Sequence, residues 1–482
     1  MQLSLSSWVA ERQLEDGAWV VFAPHRSGLP VLVDTVGHAL LDAFAAGPIE
    51  MEAAVRRVSE AIPPGMAGTV DAELRVLTAA FFSRGFLVTG PEPGRHAATA
   101  PEMASRSLAV WLELTDSCNL SCGYCFVRKG GLAMTDEILQ RATGAIVSTA
   151  VTRGVKEVEV RLAGGEPTLV LPAMERAHDL LVKGLGAAGI ALRVTVVTNG
   201  TCANERLLAF LRRPGVTLAV SVDGVGAAHD LHRIFAGTGR GSWEIVASNI
   251  DRLRADGVRL TLGATIGEET CTSFPELVEW AVARQLPIVL GPVDTPESPW
   301  RGERPDRGDY GRYSERLIES VEGGFRVLER HLEAGTAVPD LVISQLGFDH
   351  PFSAWCCGIG SGYVTVTAGG DVASCPRTAR ERVAPLGDDL ITVAASLFPY
   401  SPAERNGREA DECLACRWFP VCAGGCPLMN LLVDDDPCSR SPLCEFRRYV
   451  IPRYVEYLGK RLLHEVRRSG GRMPHMFQKL GG

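Results

Sequence analysis

No uninterrupted apolar run among the 482 residues reaches the ~18 needed to cross a bilayer, so the sequence predicts no membrane span. The first residues, MQLSLSSWVAER, lack a basic stretch and an apolar core, and no signal peptide is expected there. Positive charge is not in excess: 49 Lys and Arg against 57 Asp and Glu leave a net charge of −8, which argues against a general nucleic-acid coat. Internal repeats and low-complexity tracts are missing too. With 46% hydrophobic and 22% charged residues, the composition excludes wholesale disorder, collagen and coiled coil. What remains is a globular chain, read as cytoplasmic, of about three domains by length.

Isolated cysteines are scarce. Of 14, only Cys202 and Cys271 stand alone, and these are read as buried structural thiols. Three fall at Cys118, Cys122 and Cys125, and nine lie between Cys356 and Cys444. Such clustering points to metal binding or redox chemistry rather than disulfide cross-linking. None of the 10 histidines has ligand spacing to a partner, and most are expected at the surface.

Residues 1–90 read as a small self-contained unit. Apolar β-formers predict strands at 19–22 and 31–33 around a turn at Gly28 and Pro30, with a further strand at 86–88. Helical spacing predicts helices at 35–46, 49–62 and 71–84, the second stopped by Pro63-Pro64-Gly65. Strands flanking three short helices suggest a winged-helix-like α+β module. Residues 91–107, rich in Pro, Gly and Ala without period, form a linker.

From 108 to 300 strands and helices alternate. The strands are expected at 108–114, 158–162, 192–197, 218–222, 260–266 and 287–290, with helices such as 136–150, 172–185 and 274–284 between them. Six β/α units imply a parallel sheet, open or curved into a partial barrel, with ligands at the carboxyl ends of the strands. Residues 301–350 read as a bridging loop and an amphipathic helix near 313–332. Residues 351–450 carry few long periodic elements, so bound metal would have to supply order. A hairpin is expected there, from 363–367 and 372–375 around Gly369-Gly370. Residues 451–482 form a C-terminal helix and tail.

Cys118-Asn-Leu-Ser-Cys122-Gly-Tyr-Cys125 is a C-x3-C-x2-C loop directly after the first strand of the alternating region. Thiolates are soft ligands that suit iron–sulfur clusters and zinc. Three cysteines this close can cap three irons of a 4Fe–4S cube. With no fourth Cys or His nearby, the remaining iron stays open to an exogenous ligand. A zinc site completed from afar, or a group of structural thiols, is the alternative.

Taken in order, the residues resemble the radical S-adenosylmethionine (radical SAM) family. Tyr124 fills the aromatic place of that family's C-x3-C-x-aromatic-C, and Gly164-Gly165-Glu166-Pro167 matches its GGEP segment, which contacts the SAM amino group. Thr198-Asn199-Gly200 matches a TNG, and Ser221-Val222-Asp223-Gly224 resembles the S-x-D-G beside the SAM ribose. His229-Asp230 and Arg233 resemble a downstream H-D-x-x-R, in which Arg233 would hold the SAM carboxylate. The resemblance spans roughly 108–291. It implies a partial (β/α)6 barrel, SAM at the open iron, an electron donor such as flavodoxin or ferredoxin, and a 5′-deoxyadenosyl radical that abstracts hydrogen.

Cys413-x2-Cys416-x5-Cys422-x3-Cys426 forms a tight array, with Cys357-x12-Gly370-x4-Cys375 upstream and Cys438 and Cys444 downstream. This resembles the SPASM extension of radical SAM enzymes over about 356–446. The likeness implies two auxiliary 4Fe–4S clusters, three in all. One would use Cys413, Cys416, Cys422 and a distal cysteine, Cys444 being preferred to Cys438 for its longer gap. The other would use Cys357, Cys375 and Cys426, with Cys356, Cys438 or a substrate group as fourth ligand. A zinc ribbon on Cys413, Cys416, Cys422 and Cys426 is the alternative.

Enzymes with this extension modify peptides or proteins. Residues 1–90 resemble the winged-helix-like element by which maturases of ribosomally made peptides take a leader peptide as an added strand beside a helix. The third helix, DAELRVLTAAFFSR, offers two arginines and no basic stripe, which disfavours DNA reading. Sulfatase maturases carry a catalytic Asp just after the G-x4-C cysteine, whereas Pro376-Arg377-Thr378 follow Cys375, arguing against formylglycine formation. The general base stays unassigned, with Asp371 and Asp294 as candidates by presence. The expectation is an enzyme that crosslinks a precursor peptide through a cyclophane carbon–carbon bond or a thioether. Maturation of a folded protein subunit, or a non-catalytic zinc-binding adaptor, stays open.

Overall fold

The structure is a computed structural model that describes residues 1–25, 29–62, 67–90, 107–293, 307–344, 346, 357–398, 411–470 and 476–477. The expected linker, Asp294 and Cys356 lie outside those residues, apart from Ser107. No helix among the described residues is long and apolar enough to cross a membrane.

The N-terminal unit opens on two strands the sequence did not signal, β1 (Gln2–Leu5) and β2 (Ala10–Gln13), followed by β3 (Trp19–Phe22) and β4 (Val31–Val33). Three of the four β2 residues are polar and exposed, so no apolar alternation marks that strand. Helices α1 (Thr35–Asp42), α2 (Met51–Glu60) and α3 (Ala67–Ser83) follow, with β5 (Ile49–Glu50) before α2 and β6 (Leu87–Val88) after α3. The Asp34 carboxylate caps α1 by accepting from the Gly37 amide at 2.7 Å. The first two helices are shorter than expected, because 43–46 turn away and Ile49–Glu50 pairs with β1. Phe44, Leu40, Leu74 and Phe81 fill a core of this unit's own.

Six strands then match the expected alternation closely: β7 (Ser107–Thr115), β8 (Glu157–Gly164), β9 (Ala191–Thr198), β10 (Val216–Ser221), β11 (Leu260–Ile266) and β12 (Ile288–Pro292). A seventh, β13 (Leu341–Ile343), adds parallel to β12. Between them lie α4 (Asp136–Thr152), α5 (Leu171–Ala187), α6 (Glu205–Leu211), α7 (Trp243–Ala255) and α8 (Phe274–Val282), then α9 (Arg307–Glu333) before β13. Leu139, Ile146, Met174, Leu181, Ile250 and Leu277 of these helices share one core with the strands. The α/β class and the sequential parallel order are as expected, with one strand more than six.

The expected hairpin forms from β14 (Tyr363–Val366) and β15 (Asp371–Ala373), with β16 (Val383–Pro385) beyond. β14 pairs parallel with β7, Tyr363 opposite Ala109 through Val366 opposite Leu112, so the cysteine-rich part extends the central sheet to ten strands. Helices α10 (Leu390–Ser396), α11 (Pro427–Asp434) and α12 (Cys444–Arg468) follow, and β17 (Met476–Phe477) returns to pair with β4. Of the seven described histidines, His38, His178 and His229 are buried and the other four are half-buried. Cys271 is buried as expected, whereas Cys202 is half-buried.

Candidate active site at the carboxyl ends of the strands

A cavity of about 640 Å³ opens where β7 to β12 end. Cys118, Cys122 and Cys125 line it, together with Tyr124, Gly164 ending β8 and Gly165 after it, Asn199 after β9, Ser221 ending β10, and Arg233. The turn after each strand thus delivers its residues to one space, as parallel strand topology requires.

The thiol loop is tied to its neighbours by backbone and amide bonds. Ser121 N donates to Ile234 O at 2.8 Å, and Ala236 N donates to Asn119 O at 2.9 Å. The Asn199 amide donates to Asn119 Oδ1 at 2.8 Å and approaches Cys118 Sγ at 3.8 Å. Burial pushes the Cys122 thiol up to about 11 and raises Cys118 as well. Both therefore keep their protons at neutral pH until a metal displaces them.

The glycine pair is required by a close approach of backbone to backbone. A Cβ on Gly164, whose φ is +127°, would sit 2.0 Å from Thr115 O; one on Gly165 would sit 2.2 Å from Ser117 O. Gly165 N donates to Thr115 O at 2.7 Å and Glu166 N to Ser117 O at 2.8 Å, which pins the turn after β8 against the segment entering the thiol loop.

Glu166 is fully buried and is not among the residues lining the cavity. Its carboxylate accepts from Thr168 N at 3.0 Å, Thr168 Oγ1 at 2.6 Å, Thr198 Oγ1 at 2.7 Å and Asn199 N at 2.7 Å. Burial raises its pKa, against the pull of these four donors. Its place is that of an anchor joining two turns. Pro167 lies off the cavity as well.

Asp223 is also fully buried and off the cavity wall. Its Oδ2 meets Arg233 Nε at 2.9 Å and accepts from the Tyr124 hydroxyl. Burial alone would disfavour the Arg233 charge, but Asp223, Tyr124 and Cys122 outweigh it and hold the guanidinium protonated. Arg233 thus reaches the cavity as a cation already paired from behind. His229, pushed down to about 3 by burial and then by Arg233, is a neutral ring bonded to Ser242 Oγ at 3.0 Å.

Residues 112–281 match the family described as the Radical SAM superfamily. The chain carries a radical SAM domain. A cysteine-type anaerobic sulfatase-maturating enzyme of Clostridium novyi (strain NT) is 24% identical over 342 residues, 67% of this chain and 88% of that protein. A PqqA peptide cyclase of Xanthomonas campestris pv. campestris (strain 8004) is 27% identical over 355 residues, 70% of this chain and 86% of that one. Among solved structures, native anSMEcpe with bound AdoMet and Cp18Cys peptide superposes with a TM-score of 0.57 at 20% identity, covering 74% of this chain and 99% of that chain, which shows a shared fold.

Residues from beyond the radical SAM domain complete the cavity, and sequence reasoning missed them. Arg377, Thr378, Glu381 and Arg382 follow Cys375, and Leu428, Leu431, Leu432 and Asp435 come from α11 and its end. Trp111 on β7, just ahead of the matched residues, also lines it. Two residues further on, Glu113 is 2% exposed, with its Oε2 unpartnered and its pKa pushed by burial to about 7. An acid inside the otherwise apolar strand SLAVWLELT was the available signal. Asp371, in contrast, sits on β15 with its amide bonded to Thr367 Oγ1 and does not line the cavity.

The second cysteine set gathers in two places. Cys438 packs with Ile359, Phe398, Tyr363 and Cys375. Tyr363, whose hydroxyl pKa is raised first by burial, feels both Cys375 and Cys357. Elsewhere, Cys422 lies near Cys413 and Cys416, its thiol pushed to about 12 by burial while Arg447 opposes. Arg440 bonds Cys444 and donates to Glu412 at 2.9 Å, which sets Cys444 beside the residue preceding Cys413. Cys426 is buried at the start of α11.

Proposed function

We propose that this protein crosslinks a ribosomally made precursor peptide, through a cyclophane carbon–carbon bond or a thioether, by radical SAM chemistry. The observation that carries this reading is the composition of one cavity, which is lined both by three thiols and a glycine turn and by leucines and charged side chains of the cysteine-rich part. The donor set suits iron–sulfur clusters. Among the described residues, no three cysteine sulfurs lie within 4.8 Å of one another, whereas a single tetrahedral zinc ion would draw them to roughly 3.8 Å.

Cys118, Cys122 and Cys125 would hold one 4Fe–4S cluster with SAM at its open iron. Cys413, Cys416, Cys422 and Cys444 would hold a second, and Cys357, Cys375, Cys426 and Cys438 a third. When bound and reduced by a flavodoxin- or ferredoxin-type donor, the SAM-ligating cluster supplies a 5′-deoxyadenosyl radical.

The chain's own residues do the rest. The backbone at Gly164 and Gly165 accepts an ammonium group, and Asn199 and Ser221 offer polar atoms to a nucleoside. Arg233, held by Asp223 and Tyr124, presents its free edge to a carboxylate. Leu428, Leu431 and Leu432 exclude water from the substrate end. The carboxylates of Glu381 and Asp435 line the cavity and would take the proton released on ring closure, a role for which Asp371 is badly placed, while the electron lost with that proton would need an oxidised auxiliary cluster as its acceptor. Residues 1–90 would hold the leader of the precursor, and the likeness to a peptide cyclase supports a peptide substrate. A second reading, maturation of a folded protein, draws on the sulfatase-maturating relative. Against formylglycine chemistry stand Arg377 and Thr378, which line the cavity directly after Cys375 and supply no carboxylate.

The test is anaerobic co-expression with short open reading frames encoded beside this chain, followed by mass spectrometry. A peptide lighter by two hydrogens per crosslink, with 5′-deoxyadenosine released, is the expected result. Cys118→Ala should abolish both products. A colourless reconstituted protein that never cleaves SAM would end the proposal.

A further inference from the structure

After α12 ends at Arg468, the chain comes back to the N-terminal unit. Met476–Phe477 lies antiparallel along β4, Met476 opposite Val33 and Phe477 opposite Leu32. The N-terminal sheet therefore runs β17-β4-β3-β2, and its β4 border is closed by the chain's own C-terminal segment. Met476 packs against the apolar core that contains Val31 and Val33.

A sheet border is a row of backbone donors and acceptors, and it is where an extended peptide docks by adding a strand. The opposite border of this sheet is β2, where Glu11, Arg12 and Gln13 are exposed. That side is polar and charged. The β4 side, with Val31, Leu32 and Val33 all fully buried, is the apolar one. We propose that Met476–Phe477 is a resident strand on the β4 border, and that an incoming precursor peptide must exchange with it. The proposal rests on the reading of residues 1–90 as the peptide-recognition unit.

The resident strand is short. It offers two residue pairs, below the three or more residues of an ordinary strand. Its advantage is the tether, because a short connection to α12 gives an effective concentration on the order of millimolar. A peptide in trans with a longer matching strand makes more pairs and displaces it. While the resident strand is seated, it lowers the fraction of chains open to peptide, and the apparent affinity for precursor falls by that fraction. It also keeps an apolar border from pairing with other chains.

The test compares the full chain with a chain ending at Ser469, both reconstituted anaerobically, with equal iron content and equal thermal midpoints as the check on folding. The first probe is a fluorescein-labelled synthetic peptide of residues 471–482. It should bind the shortened chain and bind the full chain at least about tenfold more weakly, since the tethered copy competes. The same peptide carrying Met476→Asp should lose that binding. Equal binding to both chains, or none to the shortened one, overturns the proposal. The second probe is the precursor found to be modified on co-expression, which should bind the shortened chain about 3- to 30-fold more tightly. Equal precursor affinity for the two chains overturns the exchange and leaves the proposed function standing. A resident-peptide probe that behaves as expected, while no precursor is ever modified, supports the seated strand and instead removes the peptide-maturase reading.

Discussion

Glu113 shows how far a single side chain can report on its surroundings. Burial pushes its pKa from the usual 4.5 to about 7, with Arg380 pulling the other way. A carboxyl raised in this sense holds its proton more tightly folded than unfolded. Between pH 4.5 and about 7 the folded chain keeps a proton that the unfolded chain has lost, so stability declines as pH rises through that window. The total is at most about 3 kcal/mol. Thermal unfolding followed from pH 4 to pH 8 should show a falling midpoint, and Glu113→Gln should flatten the fall. A wild-type midpoint that does not move with pH would mean the carboxylate is satisfied in a way its unpartnered Oε2 does not suggest.

At the scale of elements, α11 is the clearest link between packing and chemistry. Leu428, Leu431 and Leu432 stand at i, i+3 and i+4, on one face of a helix, and that face lines the cavity. Leu431→Ala should leave 5′-deoxyadenosine formation in place while crosslinked product falls about tenfold, the equivalent of ~1.4 kcal/mol of lost substrate contact. Parallel loss of both products would place Leu431 at the SAM end instead. The sequence carried much of this architecture and little of this helix. Strands β7 to β12 were legible because their apolar, β-branched runs, with buried residues at alternate positions, are bounded by turn residues. β1 and β2 were not, since they are short and β2 is mostly polar. β13 was missed because three residues give no period to read. The motif loops were legible as residue types, yet Glu166 and Asp223 turned inward as anchors rather than toward the cavity. Which acid faces a ligand and which braces its neighbours depends on donors such as Thr168, Thr198 and Arg233. No local spacing reveals those partners. Arg377, Glu381 and the α11 leucines reach the cavity through pairings more than 250 residues long in sequence, such as β14 on β7, and only the folded chain brings them there.

For the molecule as a whole, α12 connects the two ends of the proposed chemistry. Its first residue is Cys444, and its 25 residues span about 37 Å to a last turn that rests on the N-terminal unit. Arg453 fixes its middle to Glu322 and Glu329 of α9, each at 2.8 Å. Farther along, Leu462, Leu463 and Val466 pack with Ala18 and Leu32, and Arg467 pairs with Asp16 and Glu15. The helix meets β3 at Gly459, where an added Cβ would lie 2.6 Å from Val20 Cβ. A glycine is needed there because helix and sheet backbones come too close for any side chain. Gly459→Val should therefore lift the N-terminal unit from α12, at a cost of about 1–3 kcal/mol typical of overpacking. Hydrogen exchange should accelerate at β3 and β4 while the radical SAM domain keeps its protection. If the unit positions a precursor, crosslinking should drop even though SAM is still cleaved without peptide. Unchanged exchange at β3 and undiminished product would show that contact with α12 plays no part in presenting the peptide to the cavity.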